Sequence, residues 1–96
     1  QITATLLATF AEELSADIVA AEQALNQQDT EALRRIAHRI KGTSANLQAT
    51  LLSAAARELE QACSETTEGV RVIKYLVMLD QAHSVQDAIE AWSTAG

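Results

Sequence analysis

Apolar residues recur every three or four positions along most of the chain, which is the spacing of one face of an α-helix. The first predicted helix runs from about Thr3 to Gln27, and its apolar stripe consists of Leu7, Phe10, Leu14, Ile18, Ala21 and Leu25. The acidic residues of this segment, Asp17 among them, are predicted to lie mostly off the stripe. The pattern leaves open a bend near Ser15.

The second predicted helix opens at Asp29-Thr30-Glu31 and continues to about Leu47. Either Asp29 or Thr30 can serve as its N-cap, and an acidic residue there suits the positive end of the helix dipole. Its inward stripe is predicted to consist of Leu33, Ile36, Ala37, Ile40, Ser44 and Leu47.

A third helix is predicted from about Thr50 to Ser64, with an inward stripe of Leu51, Leu52, Ala55, Ala56, Leu59 and Cys63. A polar stretch over residues 65–69 follows, and a fourth helix begins near Thr67. The apolar positions of this last helix are Val70, Ile73, Leu76, Val77, Val85, Ile89 and Trp92. The dipeptide His83-Ser84 is a candidate interruption.

Composition favours the same architecture, because the chain has three glycines and no proline, so helix breakers are scarce. Short connections join antiparallel neighbours. The predicted fold is therefore an all-α, antiparallel up-down four-helix bundle, with a bent or split first helix as a variant and Trp92 closing one end. We expect a single domain over residues 1–96, excised from a longer protein, because the chain begins with Gln1 rather than methionine.

Charge and composition exclude several classes of protein. A net charge of −6 and three aromatic residues argue against a nucleic-acid-binding surface, which needs basic groups and stacking platforms. Cys63 is the only cysteine, so no internal disulfide can form, and a reducing cytoplasm is the expected location. No apolar run reaches the roughly 20 residues that span a bilayer, and no signal peptide is visible, so direct membrane contact is not expected.

The second helix carries the candidate chemistry. At about 100° per residue, His38 falls nearly opposite the centre of the apolar stripe and is predicted to face solvent. Arg34 lies one turn before it, Lys41 and Gly42 lie one turn after it, and Ala45 lies two turns after it. This stretch holds four of the seven basic residues of the chain, so it forms a basic patch that would steer an acidic partner.

These neighbours indicate a phosphoryl-accepting histidine. Adjacent cations favour the neutral imidazole, whose lone pair can attack phosphorus, and they can then stabilise the phosphoryl oxygens. A mid-helix glycine costs about 1 kcal/mol relative to alanine, so Gly42 is interpreted as clearance for a partner's backbone. The metal and the acidic pocket for phosphoryl transfer would come from the partner, and no cofactor or metal is expected in this domain.

Each of these residues also has an ordinary interpretation. His38 could be a solvated surface histidine, and Gly42 could be a contact between packed helices. His83 lacks comparable neighbours and is interpreted as a helix-surface or partly buried histidine, while Cys63 is interpreted as a buried, inert thiol. The spacing of these side chains does not indicate metal ligation.

The residues from Ala37 to Leu47, AHRIKGTSANL, resemble the motif of histidine-containing phosphotransfer (HPt) domains, H-x-x-K-G followed by small residues. The stretch from Ala54 to Glu60, AAARELE, resembles the next helix of that family. The similarity covers the whole chain in length and helix order and is specific over about residues 32–61. Gln48 departs from it, because the family often has a glycine ten residues after the histidine, where it would act as a C-cap. This departure leaves the end of the second helix in doubt.

The resemblance implies a helical bundle that relays phosphoryl groups between aspartates of receiver domains, commonly in hybrid sensor kinase pathways at the cytoplasmic side of a membrane. It implies that His38 is phosphorylated, that Lys41 neighbours the phosphate and that Gly42 is the clearance position. Mg²⁺ would be held by the receiver domain. An exposed histidine on a self-contained bundle is compatible with a monomer, which we expect.

Other functions fit the sequence less well. Ser44 is predicted to point inward and no acid is expected to orient His38, which argues against a hydrolase. The self-phosphorylating helix pair of a histidine kinase would, by resemblance, have an acidic residue where Arg39 follows the histidine. No glycine-rich nucleotide loop is present either, so autophosphorylation from ATP is not expected. A non-catalytic adaptor bundle that binds partners without chemistry is the alternative.

Overall fold

A computed structural model describes residues 3–65 and 67–95, and these residues form four α-helices without any strand. The helices are α1 (Ala4–Asn26), α2 (Thr30–Asn46), α3 (Thr50–Glu65) and α4 (Glu68–Ala95). The predicted all-α class is confirmed. Neither Ser15 nor His83-Ser84 interrupts its helix. Residues 1, 2, 66 and 96 of the predicted domain lie outside the described residues.

The helices pack as a four-helix bundle in which each contacts its neighbours in sequence, and α4 also contacts α1. The contact between α2 and α3 is the most extensive, and that between α1 and α4 is the least extensive. Three-residue connections follow α1 and α2, which requires antiparallel neighbours. The bundle is 44 Å long, close to the roughly 42 Å that the 28 residues of α4 would span at about 1.5 Å each.

The ends of the helices follow local rules. Asp29 is the N-cap of α2, and its carboxylate accepts a hydrogen bond from the Ala32 amide at 3.1 Å. At the other end of α2, Gln48 has a φ of 61°, and the Ala49 amide donates to the Ser44 carbonyl at 2.8 Å. This is the Schellman arrangement in which a left-handed residue, usually glycine, ends a helix. Gln48 therefore adopts the conformation of the absent glycine, and α2 ends within a residue of its predicted end.

The core combines most residues of the predicted stripes of the first three helices with Ala24 and Ala62, which those stripes did not include, and with one charged residue. Asp17 was predicted to lie mostly off the stripe of α1, yet the residue is only 7 % exposed. Its carboxylate accepts a hydrogen bond from Nε of Arg39 at 3.0 Å. Asp17 lies three residues after Leu14 and four before Ala21, so it belongs to the buried face by geometry, and an ion pair with α2 compensates its burial.

Several apolar residues of α3 and α4 face solvent instead of the core. Leu51 is 69 % exposed, because the neighbouring Leu52 takes the core position and adjacent residues of a helix diverge by about 100°. In α4 the buried side chains are Tyr75, Met78 and Ala82, whereas a second group is exposed and consists of Val70, Ile73, Leu76 and Val77. The first part of α4 thus has apolar residues on two faces, and there the sequence pattern predicted the outer face as the buried one.

The far end of α4 lies against the start of α1. Val85 and Ile89 pack partly buried against the core, as their positions predict. Trp92 remains half exposed and lines an open apolar cleft together with Leu7 and Phe10 of α1. Trp92 therefore lies at one end of the bundle, as expected, but covers that end only in part.

Candidate functional site

His38 lies on the outward face of α2. Its side chain is 64 % exposed, whereas Ala37 and Ile40 on the same helix are fully buried. The opposition between the apolar stripe and the histidine, which the helical wheel predicts, is therefore present in the structure. One ring edge of His38 is available to an incoming molecule, and the other edge contacts α3.

That contact is with Glu60, whose carboxylate bridges two side chains of α2. Its Oε2 lies 2.8 Å from Nδ1 of His38, and its Oε1 lies 2.8 Å from Nζ of Lys41. The expectation that no acid orients His38 is wrong. A helical wheel describes one helix at a time, so it cannot show a contact across a helix pair. The available signal was the resemblance of residues 54–60 to the HPt family, which includes this glutamate.

The electrostatics of Glu60 determine the state of the histidine ring. The hydrogen bond from Lys41 lowers the pKa of Glu60 below its usual range; partial burial opposes this shift, and the hydrogen bond with His38 adds to it. Glu60 is therefore an ionised carboxylate at neutral pH and can only accept hydrogen bonds. It follows that Nδ1 of His38 carries the proton and that, in the neutral ring, Nε2 holds the lone pair.

The cations around His38 are mostly compensated by carboxylates of the chain itself. Arg34 donates from Nε and Nη2 to Glu31 at 2.9 and 2.7 Å, and Lys41 binds Glu60. Two ion pairs therefore flank the histidine, where the sequence indicated only the adjacent cations. The tautomer of His38 follows from the carboxylate that contacts it rather than from the cations.

Gly42 and Ala45 leave the surface beside His38 low. Both residues are exposed, and a Cβ atom placed on Gly42 would meet nothing within 4 Å. The alternative that Gly42 is a contact between packed helices is therefore wrong. The packing of the bundle therefore does not require glycine at this position, although glycine weakens the helix.

An open groove of about 740 Å³ begins at Lys41 and follows α2 and α3 away from His38. Arg57 of α3 lines the groove together with small side chains such as Ala45, Ser53 and Ala54. The sequence did not single out Arg57, because an exposed arginine on a helix has no distinguishing spacing. Its position becomes informative only when α3 is packed against α2.

The other two residues that the sequence analysis considered, Cys63 and His83, take no part in the contact between His38 and Glu60. Cys63 is a partly buried free thiol, and burial raises its pKa. His83 is exposed on α4. Within residues 3–65 and 67–95, no group of three or more His, Cys, Asp or Glu side chains is arranged to hold a metal ion. No helix in these ranges is long and apolar enough to cross a membrane.

The described helical bundle presents an exposed histidine, His38, whose ring contacts a carboxylate of the next helix, and this arrangement suits chemistry on the imidazole. The family model described as the Hpt domain matches residues 5–94, so the chain belongs to the Hpt domain family. No curated protein and no solved structure matches the chain significantly. Hpt domains perform histidine phosphotransfer in two-component systems and interact with receiver domains.

Proposed function

We propose that His38 is the phosphoryl acceptor, which takes the group from an aspartate of one receiver domain and passes it to an aspartate of another. One observation carries this proposal: the His38 side chain is exposed while its Nδ1 contacts Glu60, which leaves Nε2 as the nucleophile. Of the two histidines of the chain, only His38 has a hydrogen-bonded carboxylate among the described residues.

The proposed transfer needs only the histidine and the aspartyl phosphate as reactants. The Nε2 lone pair attacks the phosphorus of the aspartyl phosphate, the N–P bond forms, and the P–O bond to the receiver aspartate breaks, which releases its carboxylate. The imidazole then carries a positive charge with the proton still on Nδ1. Glu60 accepts the hydrogen bond from that proton and stabilises the charge as it develops.

The remaining residues of the site have supporting roles in this proposal. Lys41 lies one turn from His38 and can exchange Glu60 for the phosphoryl oxygens. Gly42 and Ala45 let the partner's backbone approach the ring, and Arg34 contributes to the partner-facing patch. Mg²⁺ would be supplied by the receiver domain, where it neutralises charge on the transferred group.

The His38→Gln variant tests the proposal. The wild-type chain, incubated with a phosphorylated receiver domain and Mg²⁺, is expected to gain a phosphate that is labile in acid and stable in base. His38→Gln is expected to lose this label while its circular dichroism spectrum is unchanged, because the side chain is exposed. His83→Gln removes the other exposed histidine and is the matched control, which should label as the wild type does.

Full labelling of His38→Gln would assign the phosphate to another residue. A wild-type chain that gains no label from any receiver domain would favour the adaptor bundle instead. In the proposed setting the domain acts as a monomer in the cytoplasm, as one part of a hybrid sensor kinase or beside one. It carries no ATP-binding motif and depends on its partners for phosphate.

A further inference from the structure

Two exposed arginines near His38 form no ion pair within the described ranges, Arg35 on α2 and Arg57 on α3, and of these two only Arg57 lines the groove. Toward the start of α2, Arg34 is paired with Glu31. Toward the end of α2, Arg57 lines the groove that begins at Lys41.

The carboxylates nearest to Arg57 in sequence are already engaged. Glu58 binds Nζ of Lys74 at 2.7 Å, on the side of α3 that faces α4. Glu60 binds both Lys41 and His38 on the side that faces α2. The guanidinium of Arg57 therefore keeps its charge available to a molecule that enters the groove.

The floor of the groove is fixed before any partner arrives. The Ser53 hydroxyl donates to the Lys41 carbonyl at 3.0 Å, which joins α3 to α2 along the groove. The Schellman turn at Gln48 closes its far end, and the Thr50 hydroxyl donates to the Gln48 carbonyl at 3.4 Å. A preformed floor of small side chains lets a partner dock without ordering the surface that it contacts.

We propose that this groove docks an acidic segment of the receiver domain and that Arg57 is the counter-ion that selects it. The inference rests on the proposed function, since the receiver must lie over His38 to exchange phosphate. Charge complementarity favours this occupant, because a receiver site that holds Mg²⁺ is rich in carboxylates and Arg57 gives the groove a cation that no carboxylate of the described residues pairs with. The receiver therefore lies toward the end of α2.

In this proposal Arg57 speeds the association of the receiver domain with the chain and does not touch the transferred phosphate. Charges at the rim of an interface change the association rate and its salt dependence more than the later steps. Arg57→Ala is expected to lower the second-order rate constant of phosphotransfer about three- to tenfold at low ionic strength and to flatten its salt dependence. The first-order rate at saturating receiver should stay within about twofold of the wild type.

The experiment uses the whole 96-residue chain and a receiver domain, loaded with acetyl phosphate and Mg²⁺, that labels the wild-type chain. Arg57→Lys keeps the charge and should restore the second-order rate. Lys74→Ala is the matched control, because it removes an equal charge from α4, outside the groove and outside the basic patch of α2. Phosphoramidate, a small donor that needs no docking surface, should label Arg57→Ala at the wild-type rate.

The outcomes separate this inference from the proposed function. A wild-type rate and salt dependence in Arg57→Ala, or an equal loss in Lys74→Ala, overturns the groove as the docking surface while His38 remains the acceptor. A loss of labelling by phosphoramidate in Arg57→Ala also overturns it, because the residue would then act on the chemistry. If the wild-type chain accepts phosphate from no donor, the proposed function fails first.

Discussion

One carboxylate organises the reactive surface of this bundle. Glu60 contacts the histidine ring and the lysine ammonium with its two oxygens, so it fixes the proton on Nδ1 and holds Lys41 beside the ring. A surface ion pair of this kind adds little to stability. In the proposed function, its value lies in the lone pair that it leaves at Nε2 of His38.

Glu60→Ala is predicted to change the tautomer of His38. Without the carboxylate, the neutral ring should shift from the Nδ1–H form toward the Nε2–H form, which removes the outward lone pair. Loss of a charge-assisted hydrogen bond of about 1.5 kcal/mol corresponds to a roughly tenfold slower phosphotransfer. Nitrogen NMR of the imidazole measures the tautomer directly.

A matched control is available on the same helix. Glu58 is an exposed glutamate of α3 that binds Lys74, so Glu58→Ala should leave both the tautomer and the transfer rate unchanged. A Glu60→Ala chain that keeps its proton on Nδ1 would show that the carboxylate does not set the state of the ring.

Gly42→Ala is predicted to separate stability from function. A methyl group at this position meets nothing within 4 Å, and alanine strengthens a helix interior by about 1 kcal/mol relative to glycine. Urea unfolding should therefore show a more stable chain, while phosphotransfer from a receiver domain slows because the methyl group obstructs the partner.

Gly69→Ala is the corresponding control on α4, where an added Cβ also meets nothing. It should leave the rate of transfer unchanged. Unchanged transfer in Gly42→Ala, at any gain in stability, would remove the clearance role of Gly42.

The candidate site residues that the sequence singled out share one property. His38, Lys41 and Gly42 lie on a single helix, so a period of 3.6 residues places them relative to one another. Glu60 and Arg57 lie on the next helix, and their relation to His38 depends on how α3 packs against α2. No local pattern contains that information.

At the scale of the elements, the turns after α1 and α2 contain backbone strain, because a residue other than glycine takes the left-handed position in each turn. α1 and α2 both end in the same turn, with the left-handed position taken by Gln28 at a φ of 57° and by Gln48 at a φ of 61°. A residue with a Cβ is strained in this conformation by roughly 1 kcal/mol or more.

Gln48→Gly is predicted to raise the free energy of unfolding by about 0.5–1 kcal/mol, since glycine relieves the strain but adds entropy to the unfolded chain. Gln27→Gly is the matched control, because Gln27 has a helical φ of −87° and gains nothing from glycine. It should lower the free energy. The urea midpoint of each variant measures the difference, and a destabilised Gln48→Gly chain would contradict the turn geometry.

The number and order of the helices follow from the sequence, and the ends of α1 and α2 lie within a residue or two of their predicted positions. The face that α4 turns toward the core does not follow from the sequence, because this helix has apolar residues on two sides. Tyr75 and Met78 face the core, while Ile73 and Leu76 face outward. Periodicity finds an apolar face, but packing decides which face is buried.

At the scale of the whole molecule, the reactive surface lies on the helix pair with the most extensive contact. α2 carries His38 and α3 carries Glu60, and these two helices pack more closely than any other pair. α1 is joined to α2 by the Arg39–Asp17 pair and to α4 by a hydrogen bond from Gln86 to Ser15 at 3.0 Å. The candidate site therefore lies on the helix pair that buries the most extensive contact in the described bundle.

Trp92 provides a fluorescence signal at the contact between α1 and α4, which is the least extensive contact of the described bundle. It is the only tryptophan of the chain, and it lies half exposed over the apolar cleft where α4 meets Leu7 and Phe10 of α1. Its fluorescence therefore reports on the helix pair with the least contact, whereas circular dichroism reports on all four helices. A chain in which α1 separates from α4 first shows two unfolding curves that do not coincide.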